Sequence, residues 1–424
     1  MPKLPNTLVI LPYDPNWKTE FERIRDYLME HIGDMVIEIK HLGSTSVPGL
    51  CAKPIIDLVA VMESYEVFPQ IVSRLEKIGF RHEGDKGIKE REVFKRLIPD
   101  EFMDYHFYIC PKNSEENRRH TIFRNALLAD KSIADEYGRQ KMRLIEEVNG
   151  DRVLYTNSKS NFILGVIEKS IMNDTKQQII TKLKERLEGL NYVYALWLEG
   201  ADANGTSDEY SDIDIWADIA DENEAEAIEA TEDALREIAE LDYRYVMSHS
   251  HPQIRQHIYH LQGTSEYLMI DFCWQLHSRP RNSYSYYEND QIEAVKVIFD
   301  KDSIIRYKPY DQSAFTTSNA ALLEEMKYRY TQHSRVIKYV RRGLYPEALA
   351  YYQRYVLEPL VCLLRILYTP AYTDYGFVHI SQHIPKVSAD KLTYLSQVSS
   401  FGDIEQKTAE AKDWLGELVE RVKL

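Results

Sequence analysis

The stretch Asp212-Ile213-Asp214-Ile215-Trp216-Ala217-Asp218-Ile219 constrains the fold more than any other part of the chain. Side chains alternate across a strand, so Asp212 and Asp214 share one face while Ile213 and Ile215 share the other. The isoleucine face asks for a covering layer. The aspartate face sets two like charges side by side, which water tolerates and a bound cation turns favourable. Ahead of the pair, the loop from Gly200 to Ser211 is small and polar, so backbone N–H groups there can approach a phosphate closely. Downstream, Asp271 lies inside the apolar run YLMIDFCW, where an unpartnered carboxylate is costly. A strand that carries this run beside the aspartate strand brings Asp271 to the same pole. Three carboxylates around divalent cations resolve both puzzles, because Mg²⁺ takes oxygen ligands and commonly shares them with substrate phosphates.

A coarse plan of helix, strand ending in Gly, loop, and strand carrying Asp occurs twice. In the first region FERIRDYLMEHIG reads as an amphipathic helix stopped by Gly33, followed by strands VIEIKHLG and KPIIDLVAVM. A helix FPQIVSRLEKIGF, two strands EVFKRLI and YHFYIC, and two helical stretches complete it. The polar segment Asn173 to Gln178 reads as a linker. The second region has a helix TKLKERLEGL, strands YVYALWLEG and DIDIWADI, an acidic helix, and three further strand candidates. From about Ser318 the spacing of Leu322, Leu323, Met326, Tyr330, Ile337 and Val340 turns helical, with Gly343 as a stop. Pro346 suits the first turn of a following helix, and Pro359 predicts a kink. Arg335, Arg341, Arg342 and Arg354 read as solvated helix faces, and Tyr351, Tyr352 and Tyr355 as packing. The expected fold class is α+β: two tandem mixed-sheet domains, 1–172 and 176–312, then a helical domain, 313–424.

A formal net charge of -15 disfavours a DNA or RNA binder, which needs a basic face to replace phosphate counterions. No segment approaches the ~20 apolar residues of a membrane span. The opening MPKLPNTLVILPYDP has no long apolar core of a signal peptide, so a cytoplasmic location is expected. Cys51, Cys110, Cys273 and Cys362 are far apart and read as reduced thiols rather than a zinc or disulfide framework.

Gly200-Ala201, Gly205-Thr206-Ser207 and Ser211-Asp212-Ile213-Asp214 resemble the signature of the nucleotidyltransferase superfamily: Gly-Ser, a loop, Asp-x-Asp on a strand, and a third carboxylate on a later strand. The resemblance implies a short mixed sheet flanked by helices and two Mg²⁺ ions. It also implies ATP or another NTP as co-substrate, with transfer of a nucleoside monophosphate to an acceptor. Asp212, Asp214 and Asp271 would then be catalytic and metal-binding, with Asp271 completing the site or serving as base. Gly200, Ala201, Thr206, Ser207 and Ser211 would line the nucleotide. Ala201 departs from the pattern, since it stands where the superfamily usually has Ser. The helical region resembles the substrate-side domains of antibiotic-modifying adenylyltransferases.

HLGSTSVPGLCAKPIIDLVAV, with DYHFYIC, IFRNALLADKSIADEYGRQKMRL and YTNSKSNFI, resembles the GrpB-like family across almost all of residues 5–170. Members look like divergent nucleotidyltransferases, and some are fused to dephospho-coenzyme A kinases. Gly43 and Ser44 match the loop start, Lys53 a Lys-Pro, and Asp57 the first acidic ligand. His106, Arg124 and Lys159 match later family positions. Val59 then stands where an active transferase carries its second Asp, so this region is expected to bind a nucleotide or phosphorylated ligand through Ser44, Thr45, Ser46 and Lys53 with weak or no turnover.

The expected function is Mg²⁺-dependent transfer of a nucleoside monophosphate, AMP first, to a hydroxyl of a small-molecule acceptor. The alternative is a nucleotide-binding or sensing protein built from two degenerate modules. Expected partners are a nucleotide and a small acceptor, with no DNA and no membrane; the sequence leaves an oligomer open.

Overall fold

The computed structural model describes residues 9–99, 101–148, 152–281 and 284–422. The first eight residues, part of the stretch read for a signal peptide, lie outside the described residues. Those described within Met1–Arg279, with Lys296–Asp302, form one compact unit, and those within Pro280–Val295 and Ser303–Leu424 a second.

Helix α1 (Asn16–Ile32) buries Trp17, Phe21, Ile24, Leu28 and Ile32, a stripe at helical spacing, and stops at Gly33. Strands β1 (Glu38–Leu42) and β2 (Ile56–Met62) follow, then helix α2 (Phe68–Lys77) and strands β3 (Phe80–His82), β4 (Glu92–Arg96) and β5 (Tyr105–Pro111). The sheet order is β1-β2-β5-β4-β3, and only the central β2–β5 pair is parallel. Ile56, Leu58, Ala60 and Met62 pack against α1 and α2, so Asp57 and Val59 face the other side. Helices α3 (Glu115–Ala129) and α4 (Lys131–Val148) follow.

Helix α5 (Arg152–Leu187) is 36 residues long and runs through residues 173–178, so the polar linker expected there does not exist. Met172, Lys176, Ile179, Leu183 and Leu187 are all buried along one face of it. The stripe was masked in the sequence because a lysine occupies one of its core positions. The helix then feeds β6 (Val193–Leu198), a short helix α6 (Gly200–Asn204), β7 (Ile213–Ile219), α7 (Glu224–Arg236), β8 (Leu241–Met247), β9 (Ile254–Leu261) and β10 (Ile270–Leu276). The order β6-β7-β10-β9-β8 repeats the first sheet strand for strand, again with one parallel pair, β7–β10, at its centre. Later segments add β11 (Tyr286–Tyr287), β12 (Lys296–Asp300), which joins the outer edge of β6, and β13 (Tyr307–Lys308). The two mixed sheets expected from the order of elements are therefore one topology used twice. Ile213, Ile215, Ala217 and Ile219 pack on Ile179, Leu183 and Leu187 of α5 and Ala227, Ala230 and Ala234 of α7.

The second unit is mainly helical, as expected: α8 (Thr316–Thr331), α9 (Ser334–Arg341), α10 (Tyr345–Tyr352), α11 (Glu358–Tyr368), α12 (Ile380–His383), α13 (Lys386–Ser396) and α14 (Phe401–Arg421). Pro346 sits in the first turn of α10. Pro359 opens α11 behind a widened turn, Gln353–Leu357, because its missing N–H leaves an upstream carbonyl without a donor. Tyr352 is fully buried and donates to the Leu395 carbonyl at 2.9 Å, a packing role, while Arg341 lies at the surface and pairs with Glu405. The four cysteines are free thiols. Among the described residues no helix is long and apolar enough to cross a membrane.

Exposed Asp174 lies inside α5, so Asp174→Pro removes a helical hydrogen bond and clashes with the preceding turn, a loss of about 3 kcal/mol or more. Urea unfolding of the full chain reads it. A tolerated proline would mean that the segment is a linker after all.

Candidate functional site

Strands β7 and β10 are parallel neighbours whose register sets Asp271 directly opposite Asp214. Both carboxylates rise from the face that the isoleucines do not use, and Asp212, two residues before Asp214, joins them by alternation. Asp212 is exposed; Asp214 and Asp271 are half-buried. Burial, followed by repulsion from Asp212, Asp271, Glu199 and Asp202, pushes the Asp214 carboxyl up to about 7. Burial also raises Asp271, reinforced by Asp212 and opposed by hydrogen bonds. Gln256 on β9 holds Asp271, its Nε2 lying 2.9 and 2.8 Å from the two carboxylate oxygens.

Gly200 makes this geometry available. It follows β6 at φ 62°, and a Cβ there would come within 2.3 Å of Asp214 Oδ2. Any side chain would therefore displace the carboxylate, whatever the backbone strain. The Glu199 N–H donates to the Asp214 carbonyl at 3.0 Å, which fixes the strand end over the acid.

The loop from Gly200 to Ser211 is pinned from below by Lys176 of α5, 3 % exposed. Its ammonium donates to Asp202 Oδ2 at 2.9 Å, to Ser207 Oγ at 2.8 Å and to the Asp212 carbonyl at 2.8 Å. Thr206 donates to Asn204 Oδ1 at 2.6 Å, and Ser211 to Asp208 Oδ1 at 2.9 Å. Ala201 lies in α6 and offers no hydroxyl. Lys176 and Gln256 carry much of this architecture, and the sequence does not mark them, because neither residue type signals its role outside a fold.

The donor set is chemically suited to a hard cation: carboxylate oxygens, crowded, with one buried ammonium spent on Asp202. Among the described residues, however, no group of three or more His, Cys, Asp or Glu side chains stands close enough together to hold a metal ion as the side chains are placed.

The first sheet builds the corresponding place. Leu42 pairs with Asp57, and Gly43, at φ 67°, would put a Cβ 2.1 Å from Asp57 Oδ2. Across the parallel β2–β5 pair, Asp57 faces His106, whose Nδ1 lies 2.9 Å from Asp57 Oδ1. By these registers Gly43 corresponds to Gly200, Asp57 to Asp214, and His106 to Asp271. Asp57 is thus the counterpart of the second acid, not the first. The residue two before it, Ile55, stands where the other module has Asp212. Val59, expected at the second acidic position, pairs with Tyr108 and is buried, the counterpart of Trp216 beside Cys273.

Ser44 accepts a hydrogen bond from Lys141 of α4 at 3.0 Å, and the same ammonium donates to the Cys51 carbonyl. Thr45 is buried, 3.0 Å from His41 Nε2, and Ser46 donates to the Gly43 carbonyl at 2.6 Å, so both hold the loop. Burial, then the charge of Lys53, lowers Lys159 to about 8 while Asp57 opposes the shift. His41 is lowered to about 4 by burial, with Asp57 opposing and Arg124 adding to it. Lys53, Asp57, His41, Arg124 and Lys159 therefore act on one another electrostatically.

The family model for the GrpB protein matches residues 7–169. A UPF0157 protein of Halalkalibacterium halodurans is 31 % identical over 167 residues, 39 % of this chain and 83 % of that one. The chain belongs to the GrpB family. The crystal structure of conserved protein GrpB from Enterococcus faecalis is 30 % identical to it, covering 39 % of this chain and 98 % of that one at a TM-score of 0.35. A spectinomycin adenyltransferase, AAD(9), from Enterococcus faecialis, solved with ATP and spectinomycin, is 11 % identical, covering 57 % of this chain and 99 % of that one at a TM-score of 0.24. The GrpB match ends before the second sheet, whose site stands on its own geometry.

Asp214 is ordinary in the unfolded chain, near 3.8, and raised in the fold to about 7. Folding is therefore penalised as pH climbs through 4, fully so above 7, and not at all in acid. In EDTA, Asp214→Asn should raise stability by on the order of 2–4 kcal/mol at pH 8 and leave it unchanged near pH 3.5. Paired urea titrations of the two proteins at those pH values measure it, and an equal difference at both would contradict the assignment.

Proposed function

We propose that the second module transfers a nucleoside monophosphate, AMP first, from an NTP to a hydroxyl of a small molecule with the help of Mg²⁺. The observation that carries this reading is the register that puts Asp214 and Asp271 abreast on parallel strands, with Asp212 on the same face. Asp212 and Asp214 would hold the metal, with Asp271 completing the site or facing the acceptor. Bound there, Mg²⁺ offsets the charge of the phosphates and of the carboxylates that now repel one another.

The chain's own residues have distinct tasks. Gly200 keeps backbone, rather than a side chain, against Asp214, leaving room for phosphate oxygens at the strand end. Lys176 holds the loop by its carbonyl and hydroxyl so that Gly200, Thr206 and Ser207 keep their places relative to the acids. Gln256 orients Asp271, which would take the proton of the attacking hydroxyl. The oxygen then attacks the α-phosphorus in line, forming the new ester bond as the bond to pyrophosphate breaks. Most of the catalysis in this scheme is positioning and electrostatics.

The helical unit is the proposed acceptor side. It contains a cavity of about 320 Å³, lined among others by Tyr287, Asp290, Tyr310 and Tyr372, a size that suits a small molecule. The second reading, binding without turnover, is favoured by one observation: Gln256 already engages both oxygens of Asp271.

Incubation of the full chain with α-labelled NTPs, Mg²⁺ and a panel of metabolites and antibiotics should yield a labelled small molecule. Asp212→Asn with Asp214→Asn should reduce the label to background while thermal unfolding shows an intact fold. Equal labelling by that double variant would sink the assignment. Nucleotide bound by the native chain but never transferred to any acceptor would favour the sensing alternative.

A further inference from the structure

The two modules share a topology and differ in the sign of their sites. Around Asp214 stand Asp212, Asp271, Glu199 and Asp202, with Lys176 paired to Asp202. Around Asp57 the counterparts are Ile55, which carries no charge, and His106 in place of Asp271. Among the described residues, several cations act on this site from the surrounding elements. Lys53 comes from the loop before β2, Arg124 from α3, Lys141 from α4 and Lys159 from α5.

These cations crowd one another. Lys159 is lowered to about 8 by burial and then by Lys53; Lys141 is lowered to about 8 by burial, with Lys159 adding to the effect. The Arg124 charge also lowers His41. Asp57 bears on Lys159 and on His41, and it also meets His106 Nδ1 at 2.9 Å. Arg124 also carries a direct sign of a missing acceptor. Its Nε is buried and meets no hydrogen-bond acceptor among the described residues, a condition that protein interiors rarely leave standing. Lys141 is 2 % exposed and committed to Ser44 and the Cys51 carbonyl, so it sets the loop and contributes field rather than contact.

We propose that the N-terminal module binds a phosphate-bearing anion directly, without a divalent cation, between Lys53, Lys159 and the Arg124 guanidinium beside the Ser44 loop. The duplicated fold gives both modules the same place at the strand end, Gly43 over Asp57 and Gly200 over Asp214. In the second a metal would mediate between phosphate and carboxylates; in the first, side-chain cations replace the metal. A guanidinium matches a phosphate's oxygens in a bidentate fork, and two ammonium groups supply the balance of charge. The ligand is a phosphate or diphosphate group, either free or carried by a nucleotide. The proposal does not depend on transfer chemistry in the second module.

Isothermal titration of the full chain in EDTA at low ionic strength tests it, with inorganic phosphate, pyrophosphate and ATP as separate probes. The expected result is saturable one-to-one binding of at least one probe, unchanged in the Asp212→Asn, Asp214→Asn double variant and weakened at least tenfold in Lys53→Gln and in Arg124→Gln. Binding of phosphate or pyrophosphate identifies a free anion as sufficient, and binding of ATP alone identifies a nucleotide. No saturable binding of any probe overturns the proposal, as does binding that both substitutions leave intact or that vanishes in the double variant. Lys53 and Arg124 lie on different elements, so either variant that keeps its far-ultraviolet circular dichroism decides that arm. Should both unfold, the metal-free titration of the native chain against the double variant decides alone.

Discussion

A methyl group at Gly200 would lie 2.3 Å from an Asp214 oxygen, and one at Gly43 would lie 2.1 Å from an Asp57 oxygen. Each contact is the point where a chain leaving one strand crosses over the acid of the next. The crossing forces a left-handed glycine, sets the height of the carboxylate above the sheet, and leaves the following loop with backbone rather than side chains nearest to it. The rest of each module is arranged to keep that crossing in place. A helix layer fixes the apolar face of the strand, and a buried lysine from a neighbouring helix, Lys141 after the first loop or Lys176 before the second, ties down the loop.

From this common frame the two sites depart by few residues. Exchanging an aspartate for isoleucine at one position and for histidine at another removes two negative charges from the strand ends. Cations from the surrounding helices then dominate the first site, while carboxylates dominate the second. Fold and chemistry are separable here: the sheet supplies places, and side chains at those places decide which charge is welcome.

Much of the frame was legible in the order of residues. Alternation in DIDIWADI sorted isoleucines to a core and aspartates to the opposite face, and the repeated plan of strand, Gly, loop and acid anticipated the duplicated topology. What failed did so for physical reasons. A buried lysine looks like a surface lysine in sequence, so the core stripe through Lys176 read as a polar linker. Gln256 was invisible because an amide gains its meaning only from the carboxylate opposite. Counting forward from Asp57, the lone acid of its strand, placed it one acid too early; the spacing of fourteen residues from glycine to acid is the same in both modules and agrees with the strand register. Thr45 was read as a ligand contact because hydroxyls near a glycine invite that reading, yet its side chain turns inward to His41.

Helix α5 bears on both sites, through Lys159 at one end and Lys176 at the other. Seventeen positions of one rod separate them, about 26 Å along its axis, and each residue advances the azimuth by about 100°. Adding or deleting a single residue between them would swing one lysine a quarter-turn or more away from its partners while the other stayed put. Steps near seven or eleven residues return the phase, and even the shorter of these changes the length of the rod by roughly 10 Å. The spacer is consequently a gauge as well as a support, and its length is as much a part of each site as any side chain in it.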